Sequence, residues 1–112
     1  MMNYEDLYIQ LCMLKIDNAI DYADKHKVKA HNSAMKKLNS ICEEFKMNTP
    51  YAIEILSHLL NNENEQVRLT AASHCFNLDL CRQQAKDVLL DIQKNSKNKI
   101  NVFNAEMVLN CL

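Results

Sequence analysis

Cysteine and histidine have the widest chemical reach of the side chains in this chain, which holds Cys12, Cys42, Cys75, Cys81 and Cys111 together with four histidines. Structural zinc takes four ligands, usually as closely spaced pairs such as Cys-x-x-Cys. No such pair occurs, and His74 and Cys75 fall on an apolar stripe at helical spacing. His58, His74, Cys75 and Cys81 are therefore expected to pack rather than to hold a metal. A cysteine nucleophile needs a base and an orienting group. Only Cys75 beside His74 suggests one, and adjacent residues of a helix point in different directions. Asp17 with Asp21, and Asp87 with Asp91, stand four apart, so each pair shares a helix face. Sunk in a cleft such pairs do acid–base work, but on an amphipathic helix they form a solvated face. With no glycine in the chain, a glycine-rich phosphate loop is excluded. The expectation is no catalytic residue, no cofactor and no metal: a protein that works by binding.

Charge is the remaining chemical signal. The formal net charge is −1, so there is no bulk field to gather nucleic acid or an anionic membrane. The charges are nonetheless banded. Residues 1–24 carry Glu5, Asp6, Asp17, Asp21 and Asp24 against Lys15 alone, and residues 25–47 hold six lysines against Glu43 and Glu44. Residues 48–81 then carry Glu54, Glu63, Glu65 and Asp79 against Arg68 alone. Such banding steers a charged partner onto one face. Lys25, His26, Lys27, Lys29, His31, Lys36 and Lys37 could line a phosphate track, which keeps a nucleic-acid-binding module as an alternative. The tract lacks interleaved aromatics and has acidic bands on either side, so a solvated helix face is the expected reading.

The elements that must position these charges are helices. One domain is the natural reading of 112 residues, long enough to bury a core without disulfide or metal help. The absence of glycine disfavours the tight turns of a small sheet protein, and abundant asparagine can serve at caps and left-handed corners. Tyr4, Leu7, Tyr8, Leu11 and Leu14 recur at helical spacing, followed by a short pattern of Ile16, Ala19, Ile20 and Ala23 that either bends from the first helix or forms its own. Ala34, Met35, Leu38, Ile41, Cys42 and Phe45 mark a long amphipathic helix. Thr49 suits an N-cap with Pro50 at the first helical position, opening a helix with Ala52, Ile55, Leu56, Leu59 and Leu60 on one stripe. The polar corner Asn61–Asn64 ends it, and Asn64 is expected to cap the next helix. That helix, about Glu65 to Leu78, is apolar on two sides and hence central. Asp79 offers a cap for a helix with Ala85, Val88, Leu89 and Ile92. In the last helix, Ile100, Phe103, Met107 and Cys111 lie on one side and Val102, Ala105, Leu109 and Leu112 on the other, which predicts thorough burial. The fold class expected is all-α: six or seven antiparallel helices in an α-α superhelix, a single domain over residues 1–112.

Residues 53–78 carry a resemblance. Leu56-Ser-His-Leu59-Leu60, the Asn/Glu corner and Val67-Arg68-Leu69-Thr70-Ala71-Ala72 are similar to a HEAT repeat, whose arginine at this place tends to bridge a neighbouring helix's carboxylate or C-terminus. Over residues 30 to 112 the chain resembles a bacterial helical domain family of uncharacterised function with one HEAT-like hairpin. The likeness lies in the charged helix Ala34–Phe45, in Val67-Arg68-Leu69 with Ala71-Ala72, and in Phe103-x-Ala105-x-Met107-x-Leu109. The chain departs from that family where a glycine is common before the last helix; Ile100-Asn101-Val102 stands there instead. Some members resemble immunity proteins, including those of contact-dependent growth inhibition systems. The resemblance implies a protein that binds a cognate toxin domain and blocks its active site, the acidic bands suit a toxin of nuclease type, and the other alternative is a general protein–protein adaptor. A nuclease is basic where it holds phosphates, and carboxylates of an inhibitor complement that cleft. Asp17, Asp21, Asp24, Glu63 and Glu65 are the expected partner contacts. An acidic N-terminus, unlike a basic signal peptide, and the lack of a membrane-length apolar run lead to the expectation of a cytoplasmic protein with no membrane association.

Overall fold

Apolar side chains three and four residues apart set which face of each segment is buried, and six segments obey that spacing as helices in the computed structural model. It describes residues 4–17 and 25–111. The helices are α1 (Tyr4–Asp17), α2 (Lys25–Met47), α3 (Thr49–Leu60), α4 (Glu65–Leu78), α5 (Arg82–Asn95) and α6 (Lys99–Asn110). The fold is all-α, with no strand among the described residues. The chain divides into two compact units, Met1–Ala52 and Ile53–Leu112, and the boundary falls inside α3.

In the first unit α1 packs on α2. Tyr8, Leu11 and Cys12 of α1 are buried, as are Ala34, Leu38, Ile41, Cys42 and Phe45 of α2. Met35, expected on the same stripe, is instead exposed, because it lies one residue off the 34–38–41–45 line that faces inward. Tyr4 meets Phe45 edge to face with ring centroids 6.5 Å apart and lies 6.2 Å from Tyr51. Ile16 falls in the last turn of α1, the rest of the expected pattern to Ala23 lies outside the described residues, and so do the side chains of Leu14 and Ile16.

The start of α3 differs from the expectation by one residue. Asn48 is the capping residue: its side-chain oxygen accepts from the Tyr51 N–H at 3.4 Å and its carbonyl from the Ala52 N–H at 3.0 Å. Thr49 is thus already helical and Pro50 is the second helical residue, where an N–H would have no intrahelical partner either. The expected stripe of Ala52, Ile55, Leu56, Leu59 and Leu60 is buried throughout.

In the second unit α4 packs on α5, α5 on α6, and α4 also touches α6. Val67, Leu69, Ala71, Ala72 and Cys75 are buried, so α4 is buried on both of its apolar sides. Asn64 caps it, accepting from the Gln66 and Val67 N–H groups at 2.9 and 3.2 Å. Asp79, expected to open α5, instead closes α4. It adopts the left-handed conformation (φ 57°), the Leu80 N–H reaches the Cys75 carbonyl at 2.9 Å and the Asp79 N–H that of Phe76 at 3.2 Å. This is the Schellman arrangement, in which a left-handed residue lets the chain satisfy the last carbonyls of a helix. Cys81, two residues on, is also left-handed (φ 51°) and precedes α5 without a side-chain cap. With glycine absent, ordinary residues occupy both positions.

Candidate partner interface

The corner between α3 and α4 is built almost wholly from polar side chains folded back on backbone. Asn61 donates its side-chain amide to the Ser57 carbonyl at 2.9 Å, and Asn62 accepts from the Asn64 N–H at 2.8 Å. Arg68 donates Nη1 to the carbonyls of Asn62 (2.7 Å) and Glu63 (3.0 Å). Of the two expected bridges, to a neighbouring helix's carboxylate or to its C-terminus, Arg68 makes one of the second kind, to carbonyls two and three residues past the end of α3. Physically, two carbonyls freed by the turn lie within one side-chain length of the first turn of α4, and a guanidinium satisfies both at once. The outcome is a loop of fixed shape with the Glu63 side chain exposed.

Glu65 has a different role from its neighbour. Half-buried at the start of α4, its Oε2 accepts from Ser96 Oγ at 2.8 Å and from Asn101 Nδ2 at 2.6 Å. Asn101 is only 2 % exposed, and its Oδ1 accepts from Gln66 Nε2. Ser96 Oγ also accepts from the Asn98 N–H at 3.1 Å, and Asn98 caps α6 through the Ile100 and Asn101 N–H groups at 3.0 and 3.2 Å. This network joins the first turn of α4 to the start of α6. It fills the place where the resemblance leads one to look for a glycine, and it was not foreseen from the sequence. The available signal was position: Asn101 lies four residues before Ala105 on the buried line of α6, and a buried amide requires partners.

Asp17 ends α1, its side chain outside the described set, and Asp21 and Asp24 lie outside the described residues altogether. Lys29, Lys36 and Lys37 are exposed on α2. Asp87 and Asp91 are exposed on α5, each accepting from an amide four residues away: Gln83 at 3.0 Å and Asn95 at 2.7 Å.

Burial of α6 is the clearest correction. Asn101 and Ala105 are its buried residues, whereas Ile100, Phe103 and Met107 are 71, 58 and 52 % exposed. Apolar periodicity finds two apolar sides but not whether both have a neighbour; α6 packs on α5 and touches α4 with one side only.

Cys12, Cys42 and Cys75 are buried, Cys81 is half-buried and Cys111 exposed. Burial pushes the Cys42 thiol up from 9.0 to about 11, helped by nearby Glu43 and Cys12 and opposed by Lys46. A thiol held protonated in this way is packing material, not a nucleophile. Among the described residues, no three His, Cys, Asp or Glu side chains are grouped to hold a metal ion, and no helix is long and apolar enough to cross a membrane.

A family model for a domain of unknown function, DUF2019, matches residues 5–112, and the chain belongs to that family. No curated protein and no solved structure matches it.

Proposed function

We propose that this DUF2019 member is a binding protein without catalytic activity, acting as an immunity protein that covers the active site of a cognate bacterial toxin domain of nuclease type. The observation that carries the reading is the locked corner at residues 61–65, which holds the Glu63 carboxylate outward on a loop fixed by Arg68 and three asparagines. A pre-shaped loop loses little conformational entropy on binding, and an exposed carboxylate suits a cleft made to hold phosphates. Because Glu65 is engaged with Ser96 and Asn101, Glu63 is the corner's outward charge. Asp17, Asp21 and Asp24 stay in the proposal as a second acidic contribution.

The test is co-purification with the C-terminal domain of any toxin encoded immediately upstream, followed by association kinetics. Wild-type protein should bind and inhibit it, and Glu63→Lys should slow association roughly tenfold at low salt, with the difference shrinking as salt rises. Failure to bind any neighbouring toxin domain would sink the reading. A nucleic-acid-binding function is favoured only by exposed Lys29, Lys36 and Lys37, and a low-salt gel shift with the full chain separates the two.

A further inference from the structure

Ile100, Phe103 and Met107 follow one another at spacings of three and four along α6, and all three are more than half exposed. A helix with large apolar side chains at those spacings presents the seam by which helices pair. The residues bordering this seam carry a second signal. Lys99 and Glu106, both exposed, are seven residues apart and so lie on the same edge, about 10.5 Å from each other along the axis. Among the described residues Lys99 makes no ion pair and Glu106 accepts only a long amide bond from Gln93 at 3.3 Å. The opposite edge is uncharged, with Asn104 and Cys111 exposed there.

We infer that α6 is the interface of a homodimer, pairing antiparallel with α6 of a second copy across a two-fold axis near Phe103. The charge pattern selects both the occupant and its direction. In an antiparallel pair like edges face each other, so Lys99 of each copy meets Glu106 of the other, and one symmetric contact is made twice. A parallel pair would set both charges against the uncharged edge, opposite Asn104 and Cys111. The same axis brings Phe103 against its own counterpart and Ile100 against Met107 of the other copy, closing the seam. One helix face is self-complementary in shape and charge, as an isologous interface requires. The corner at Glu63 takes no part in this contact, so the dimer is independent of the toxin reading.

Sedimentation equilibrium of the full chain tests the inference. Wild-type protein should be a dimer and Phe103→Asp a monomer, with unchanged helical circular dichroism because the side chain is exposed. Lys99→Glu and Glu106→Lys should each weaken the dimer by roughly tenfold, since two attractive contacts become repulsive, and the double exchange should restore it. Three results would each overturn the inference: a monomeric wild-type chain at the highest soluble concentration, a dimer that persists in Phe103→Asp, or single charge reversals that the double exchange does not rescue. A monomer whose capture by another protein is lost in Phe103→Asp overturns it too, assigning the face to that partner.

Discussion

Asn101 lies in the first turn of α6, yet it ties down the first turn of α4. Its amide donates to Glu65 and its carbonyl accepts from Gln66, so removing it leaves a half-buried carboxylate short of one of its two side-chain donors. The cost of an abandoned buried acceptor exceeds the net worth of the bond itself. Asn101→Leu should therefore destabilise the chain by about 2–3 kcal/mol, read as a lower urea midpoint, despite adding apolar volume to a buried site. Cys42 makes a prediction of opposite character. Its folded-state thiol titrates at about 11 against 9.0 unperturbed, so the folded chain binds that proton more tightly than the unfolded one. The resulting stabilisation is complete below pH 9 and is lost as pH rises towards 11. Urea unfolding in reductant should show wild type losing more stability than Cys42→Ala between about pH 8 and about pH 10.5.

Among the elements, the connection from α4 to α5 is where the composition strains the backbone. Asp79 and Cys81 both sit at positive φ, which costs a side-chain-bearing residue roughly 1–2 kcal/mol and costs glycine nothing. Cys81 loses little by substitution, since it caps no N–H with its side chain and its sulfur makes only a 3.8 Å contact with Ser57 Oγ. Cys81→Gly should raise stability by about 1 kcal/mol, a gain of several degrees in melting temperature. Asp79→Gly should gain less, because it also removes the 2.9 Å bridge to Arg82. The helices themselves were legible from periodicity: the α3 stripe from Ala52 to Leu60 and the two-sided burial of α4 are as the spacing predicts. Ends were less so. Asn48 displaced Thr49 as a cap, and Asp79 closed a helix where it was expected to open one, because in a glycine-free chain Asn and Asp are called on for either task.

For the whole molecule, the all-α architecture could be read from composition and spacing, whereas surface roles could not. Spacing identifies which residues share a face but not what lies opposite. Ile100, Phe103 and Met107 thus look like core in the sequence and stand in solvent in the structure. The same blindness treated Glu63 and Glu65 as equivalent, although one points outward and the other is held by residues more than thirty positions away in the chain. Only the fold could reveal that separation, since nothing local to Glu65 names Ser96 or Asn101.

The tie between Glu65 and Asn101 also sets an order of events during synthesis. The two residues are 36 positions apart, so at ordinary translation speeds Asn101 is added roughly 2–7 seconds after Glu65. Until then α4 has its asparagine cap and Arg68, and of the two donors to its first carboxylate only Ser96 has been added. A nascent chain still lacking α6 would already hold the corner's own bonds, all made within residues 57–68, with only the Glu65 carboxylate short of its Asn101 donor. A partner that reads the corner's shape would therefore meet it before α6 is made, whereas the tie between the first turns of α4 and α6 closes only once Asn101 has been added.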